Sequence, residues 1–305
     1  MLFALFYVVL GLVLLTLAGD KLVAGAAGLA ARFRVSPVFI GIVIIGFGTS
    51  LPEILATASA TLQGETALAL GNIVGSNSAN VGLILAVALL LSKQTRTMPH
   101  NGKDYGLMLI AMGFVCLILT LYGELSGLWS YILIFALFIY LYLSLKMGAD
   151  VDAVSEAIEP LNWLVMYIIF GLIGLVLGAQ FLVSGATDLA TLLGVPAKII
   201  GITMVAIGTS LPELAATVAA VRKGQLGLTV GNILGSNVFN ILGAAGVASL
   251  FAPLPFGTFK LDLIWMLAFS LLALPLFLTK RILPLKFLGF ILGFAYVIYI
   301  YQLVG

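Results

Sequence analysis

Long apolar runs fill this chain, and short polar stretches interrupt them at near-regular intervals. A run of roughly 20 apolar residues is long enough to cross a bilayer as a helix. On that measure the pattern predicts helices near 3–30, 37–61, 66–91, 105–122, 128–147, 162–187, 195–221, 226–250, 261–279 and 285–303. Turn residues mark the breaks, among them Arg34–Pro37, Gln63–Glu65, Gly123–Gly127, Arg222–Gly224 and Pro253–Gly257. The first run has no basic leader and leads directly into a repeated region. It reads as a retained span rather than a cleaved signal peptide.

Composition strengthens this picture. Hydrophobic residues make up 62% of the chain and charged residues 9%, against about 25% charged in an ordinary soluble domain. Lipid must therefore be the solvent, and no stretch remains for a sizeable soluble domain. The net charge of +2 is not gathered into a basic stripe, so a nucleic-acid partner is not expected. Cys116 is the single cysteine; it cannot form an internal disulfide and reads as packing. His100 reads as a solvated loop residue.

The basic residues set an orientation. Arg32, Arg34, Lys93, Arg96, Lys103, Lys146, Arg222, Lys223, Lys280, Arg281 and Lys286 follow the odd-numbered helices, eleven of the fourteen Lys and Arg. The opposite loops hold only Lys198 and Lys260, and Lys21 lies within the first helix. Positive charge gathers on the cytoplasmic side, which places both termini outside. Trp129, Trp163 and Trp265 fall near helix ends, where interfacial anchors belong.

The chain also repeats itself at an offset of 160 residues. Gly48-Thr49-Ser50-Leu51-Pro52-Glu53 recurs as Gly208-Thr209-Ser210-Leu211-Pro212-Glu213, and Gly71-Asn72-Ile73 as Gly231-Asn232-Ile233. Gly75-Ser76-Asn77 with Asn80 recurs as Gly235-Ser236-Asn237 with Asn240. Five spans separate equivalent positions, so the second copy enters the membrane upside down. The fold class expected is an all-α integral membrane protein with ten transmembrane helices in two inverted five-helix repeats. Residues 1–149 and 162–305 form the repeats, and 150–161 a cytoplasmic linker. Its acidic residues Asp150, Asp152, Glu156 and Glu159 read as a solvated connection. Inverted repeats characterise alternating-access transporters, with substrate at the midplane where the halves meet.

The repeated residues suit a cation. Glu53 and Glu213 lie deep in predicted spans, where an ionisable group costs at least a few kcal/mol and is functional by default. Thr49 and Ser50 precede Glu53 by four and three residues and share its helix face; Thr209 and Ser210 do so for Glu213. Pro52 and Pro212 each remove one helix hydrogen bond, so a broken helix with free carbonyls is expected beside each carboxylate. Asn72, Ser76 and Asn80 form a polar stripe four residues apart, as do Asn232, Ser236 and Asn240. Ser76, Asn80, Ser236 and Asn240 are expected to face the carboxylates. Asn72 and Asn232 either join them or hydrogen-bond between helices. All of these are hard oxygen ligands, of which calcium takes about six to eight. The motifs hold no thiolate or imidazole, so zinc, copper and iron are poorly served.

These duplicated motifs resemble the sodium/calcium exchanger branch of the calcium/cation antiporter superfamily, over essentially the whole chain. The resemblance implies a central Ca²⁺ site flanked by Na⁺ sites. It implies that the first and sixth helices slide across the remaining core, and that about three Na⁺ exchange for one Ca²⁺ electrogenically. By matching position, Glu53 and Glu213 would bind Ca²⁺ with help from Thr49 and Thr209. Ser50, Ser76, Ser210 and Ser236 would complete Na⁺ sites with the carbonyls of Phe47 and Ala206, while Asn80 and Asn240 would line the centre. The potassium-dependent branch carries Asp where this chain has Asn240, and proton-coupled relatives carry an acid near Gly75 or Gly235. Both differences argue for sodium coupling. No enzyme activity and no cofactor are expected; Ca²⁺ and Na⁺ bind as transported substrates. Membrane lipid surrounds the chain, and no obligate protein partner is expected. The short loops suit a prokaryotic plasma (inner) membrane. The competing readings are proton- or potassium-coupled cation exchange and, from another class, a cation channel.

Overall fold

The computed structural model describes residues 1–93, 102–147, 159–195, 208–255, 257, 259–278 and 284–304. They form ten helices: α1 Leu2–Phe33, α2 Pro37–Leu62, α3 Thr66–Leu91, α4 Gly102–Tyr122 and α5 Leu128–Met147, then α6 Leu161–Leu192, α7 Leu211–Arg222, α8 Leu226–Phe251, α9 Lys260–Leu278 and α10 Leu285–Val304. Nine of these, all but the described part of α7, are long and apolar enough to cross a membrane. The protein is an all-α integral membrane protein. Its outer surface fits lipid: Phe135 and Phe138 on α5, and Phe287, Phe290 and Phe294 on α10, are all at least 60% exposed. A hydrophobic belt of this kind is stable only where the solvent is hydrocarbon.

α1 and α6 are longer than the hydropathy pattern predicts, at 32 residues each. A helix of that length is about 48 Å long, against a hydrocarbon core of about 30 Å. Both must therefore tilt or project beyond the core. They pack antiparallel through glycines. A Cβ on Gly11 would stand 2.5 Å from Leu182 N, and one on Gly171 would stand 2.8 Å from Leu22 N. Adding 160 to Gly11 and Leu22 gives Gly171 and Leu182, so the second contact is the first with the repeats exchanged. The same holds for Gly25, whose Cβ would meet Leu164 O at 2.7 Å, and Gly185, which would meet Ala4 O at 2.6 Å. Equivalent helices running in opposite directions are the inverted repeat seen directly.

The buried apolar residues fall into two groups. One holds α1 and α6 together with Ile40, Ile45, Ala216, Ala219 and Leu228. The other is larger and runs through α3, α4, α5, α8, α9 and α10. The α1–α6 pair thus has a core of its own, laid against the rest. α8 and α3 are the most buried spans, with 89% and 78% of their central windows inside the protein. They are the helices that carry the polar stripes.

Two turns in the sequence prove to be paired. Glu124–Leu125 and Leu254–Pro255 form a short antiparallel ladder, tying the α4–α5 connection to the α8–α9 connection. Both are even-numbered connections, which the basic-residue pattern puts on one side of the membrane.

Candidate cation site

The motif helices depart from regular α geometry. Residues Gly41–Gly46 of α2, Asn80–Ile84 of α3 and Phe239–Ala244 of α8 form wide π turns. Such turns leave carbonyls poorly paired and recur at functional sites. Two of them begin at or beside Asn80 and Asn240, equivalent residues of the repeat. The break expected at Gly48–Pro52 is not there: α2 runs on as regular helix from Phe47 to Leu62 with Pro52 inside it. Its irregular turn lies just upstream. In the second copy the backbone does change at the motif, because Thr209 and Ser210 form a turn and regular helix starts at Leu211. Ala206 lies outside the described residues.

α2 and α8 cross closely enough to bring the two copies together. A Cβ on Gly41 would come within 2.9 Å of Gly231 Cα, and one on Gly46 within 2.9 Å of Gly235 Cα. Across this contact Thr49 Oγ1 lies 3.0 Å from its own Ile45 carbonyl, 3.3 Å from Asn232 Oδ1 and 3.5 Å from Ser236 Oγ. Ser236 Oγ in turn donates to the Gly46 carbonyl at 3.4 Å. Ser50 Oγ donates to Glu213 Oε1 at 3.2 Å, so the motif of one repeat reaches the carboxylate of the other.

Every one of these groups is buried. Glu53 and Glu213 are 1% and 2% exposed. Among the described residues, Glu53 Oε1 and Oε2, Glu213 Oε2, Ser210 Oγ, Asn80 Oδ1 and the whole side-chain amide of Asn240 have no hydrogen-bond partner. Leaving buried polar atoms unpaired is costly, which marks this convergence of oxygens as a candidate ligand site. Among the described residues no three His, Cys, Asp or Glu come together. The acidic groups gathered here are therefore two carboxylates among neutral oxygens, a donor set of the kind that suits a hard ion.

Ser76 is buried on α3, and Thr209 is half-buried at the turn before α7. The Phe47 ring is 40% exposed and packs 5.0 Å from the Phe239 ring.

Asn72 and Asn232 hold the frame. Asn232 Nδ2 donates to Thr217 Oγ1 at 2.8 Å and to the Glu213 carbonyl at 3.2 Å. Asn72 Nδ2 makes the same pair of bonds to Thr57 Oγ1, at 2.9 Å, and the Glu53 carbonyl, at 3.3 Å. Thr57 and Thr217 escaped selection in the sequence, although both recur at the offset of 160. Asn237 was also missed as a structural link: its Oδ1 accepts from Asn80 Nδ2 at 3.3 Å, and its own amide lies 3.6 Å from Met108 Sδ. Asn232→Ala should leave Thr217 and the Glu213 carbonyl short of a donor, at about 1–3 kcal/mol. Thermal melts should show a lower Tm, and cation flux should fall several-fold. Unchanged values of both would remove Asn232 from this role.

The family described as "Sodium/calcium exchanger protein" matches residues 3–146 and 163–305. The chain belongs to the sodium/calcium exchanger family. The exchanger is 30% identical over 297 residues to the sodium/calcium exchanger MaX1 of Methanosarcina acetivorans, covering 80% of this chain and 82% of the relative. It is 33% identical over 267 residues to the inner membrane protein YrbG of Escherichia coli, covering 83% and 81%. The sodium-calcium exchanger NCX_Mj, solved after soaking in 2.5 mM Na⁺ and 0.1 mM Ca²⁺, superposes with a TM-score of 0.87 at 32% identity over 98% of both chains. The fold is thus ten transmembrane helices in two inverted repeats, and the family is one of transporters that exchange cations, not of enzymes.

Proposed function

We propose that this exchanger moves Ca²⁺ against Na⁺ by alternating access, with a net charge carried in each cycle. The observation that carries the reading is the pair of buried carboxylates, Glu53 and Glu213, of whose oxygens Glu53 Oε1 and Oε2 and Glu213 Oε2 have no hydrogen-bond partner among the described residues. Two carboxylates neutralise one Ca²⁺, and the serine, threonine and backbone oxygens around them serve Na⁺ equally well. Glu53, Glu213, Thr49 and Thr209 form the Ca²⁺ site. Ser50, Ser210, Ser76 and Ser236, with the carbonyls of Phe47 and Ala206, form Na⁺ sites, and Asn80 and Asn240 line the centre. Residues 1–149 and 162–305 act as the two halves, with 150–161 as their linker. The separate core of α1 and α6 supports sliding of that pair as the access step. The basic-residue pattern and the likeness to an inner membrane protein support a prokaryotic inner membrane with both termini outside.

Uptake of ⁴⁵Ca²⁺ into proteoliposomes tests this. Vesicles loaded with Na⁺ should accumulate calcium, and choline-loaded vesicles should not. Uptake that follows a pH jump or internal K⁺ instead would move the protein to proton or potassium coupling. Voltage gives a second check. One net charge moved through about 100 mV is worth about 2.3 kcal/mol, or about fiftyfold in the calcium gradient reached at equilibrium. Sodium leaving as three charges against two should make uptake stronger at an inside-positive potential set with valinomycin. A two-for-one exchange would not respond.

A further inference from the structure

A cleft of about 190 Å³ lies where α1, α6 and α7 meet. Its walls are Leu12 and Leu15 of α1, Leu182 of α6, and Leu211, Leu214 and Val218 of α7, with Arg222 at one end. Leu12 is 51% exposed, so the cleft opens to the side of the protein. A leucine-lined wall offers nothing to a hydrated cation, and it holds none of the cation-site residues.

The rim at the Arg222 end is basic. Lys223 follows Arg222, and its Nζ donates to the Asp20 carbonyl of α1 at 3.0 Å. Lys21, next in the chain, turns away to the other flank of α1, its ammonium 4.4 Å above the Tyr167 ring of α6. Two cations, Arg222 and Lys223, therefore collect at the end of the cleft. The basic pair belongs to this end alone: the positions equivalent to Arg222 and Lys223 in the inverted repeat are Leu62 and Gln63, at the opposite membrane face, where basic residues are not gathered. The cleft breaks the symmetry as well. At its counterpart in the first half, Leu172 of α6 packs tightly over Gly48, whereas Gly208 has Val183 beside it and not the equivalent Leu12.

We propose that this cleft is a binding site for an anionic phospholipid, its acyl chain against the leucines and its phosphate on Arg222 and Lys223. The volume suits a segment of one chain rather than a whole lipid. The medium around the helices supplies such chains, and the basic rim selects the headgroup by charge. Juxtamembrane cations are worth about 1 kcal/mol each toward anionic lipid.

Native mass spectrometry of the detergent-solubilised, full-length protein titrated with phosphatidylglycerol and phosphatidylcholine tests the site. The wild type should retain phosphatidylglycerol in preference to phosphatidylcholine. Arg222→Gln with Lys223→Gln should weaken retention roughly tenfold or more. Val218→Trp, which fills the cleft and leaves the charges in place, should weaken it too. Glycerophosphoglycerol, the headgroup without chains, should not compete. Equal retention of the two lipids would overturn the proposal. So would wild-type retention in both variants, or competition by the free headgroup as effective as by the intact lipid. All proteins should first elute as single symmetric peaks, so that lost binding is not lost folding.

Discussion

Glu213→Gln should abolish sodium-driven calcium uptake, and Glu53→Gln should do the same. Each removes one of two formal charges from a site that is almost wholly shut off from water, with both side chains no more than 2% exposed. Breaking a buried charge pairing of this kind costs about 3–5 kcal/mol, which sets the expected loss of apparent Ca²⁺ affinity at more than about a hundredfold. Glutamine keeps the size of the side chain and the ability to accept from Ser50, so folding should survive. The measurement is ⁴⁵Ca²⁺ uptake in sodium-loaded proteoliposomes across a wide calcium range, with a thermal melt as the folding control. Uptake within a few-fold of wild type in either variant would mean that the ion is held elsewhere. The two variants need not be equal in sodium affinity. Glu213 Oε1 is engaged by Ser50, whereas both Glu53 oxygens lack a hydrogen-bond partner among the described residues.

The helices and the central residues were legible in the sequence because each rests on a strong local signal. A 20-residue apolar run leaves few alternatives, and a six-residue motif repeated at a fixed offset carries its own alignment. Thr49 and Ser50 of one motif reach Ser236 and Glu213 of the other repeat. What the sequence hid depends on packing between distant segments. Pro52 announces a break, yet it removes a single hydrogen bond, and α2 absorbs that loss without leaving helical geometry. Within a bilayer, neighbouring helices and polar side chains make up for such losses. The wide turn of α2 falls instead where Gly41 and Gly46 press against α8, a contact between residues some 190 positions apart that no local pattern encodes. Thr57 and Thr217 look like ordinary helix residues until Asn72 and Asn232 reach them from the next helix. The ladder joining Glu124–Leu125 to Leu254–Pro255 is too short to show any strand periodicity.

The same crossing of α2 and α8 yields the second large effect. Gly235→Val should cut sodium-driven calcium uptake by more than about tenfold, although Gly235 binds no ion itself. A Cβ there would lie 2.7 Å from the Ile42 carbonyl oxygen and 2.8 Å from Ile42 Cα. Both are backbone atoms inside the wide turn of α2, so no side chain can rotate away to make room. The helices must separate instead, and overpacking of this kind costs about 1–3 kcal/mol in stability. Function should suffer more than stability. Ser236, the next residue, reaches Thr49 at 3.5 Å and the Gly46 carbonyl at 3.4 Å; these contacts sit at the limit of hydrogen bonding and would be lost with a small shift. The oxygens of one repeat would then no longer close around those of the other. Gly113→Ala on α4 provides the control, since a Cβ there meets nothing within 4 Å among the described residues. That variant should melt and transport like wild type. If Gly235→Val did so too, close approach of α2 and α8 would not be what assembles the site. If it lost uptake while melting within a few degrees of wild type, the glycine contact would be a device for positioning ligands rather than for holding the fold.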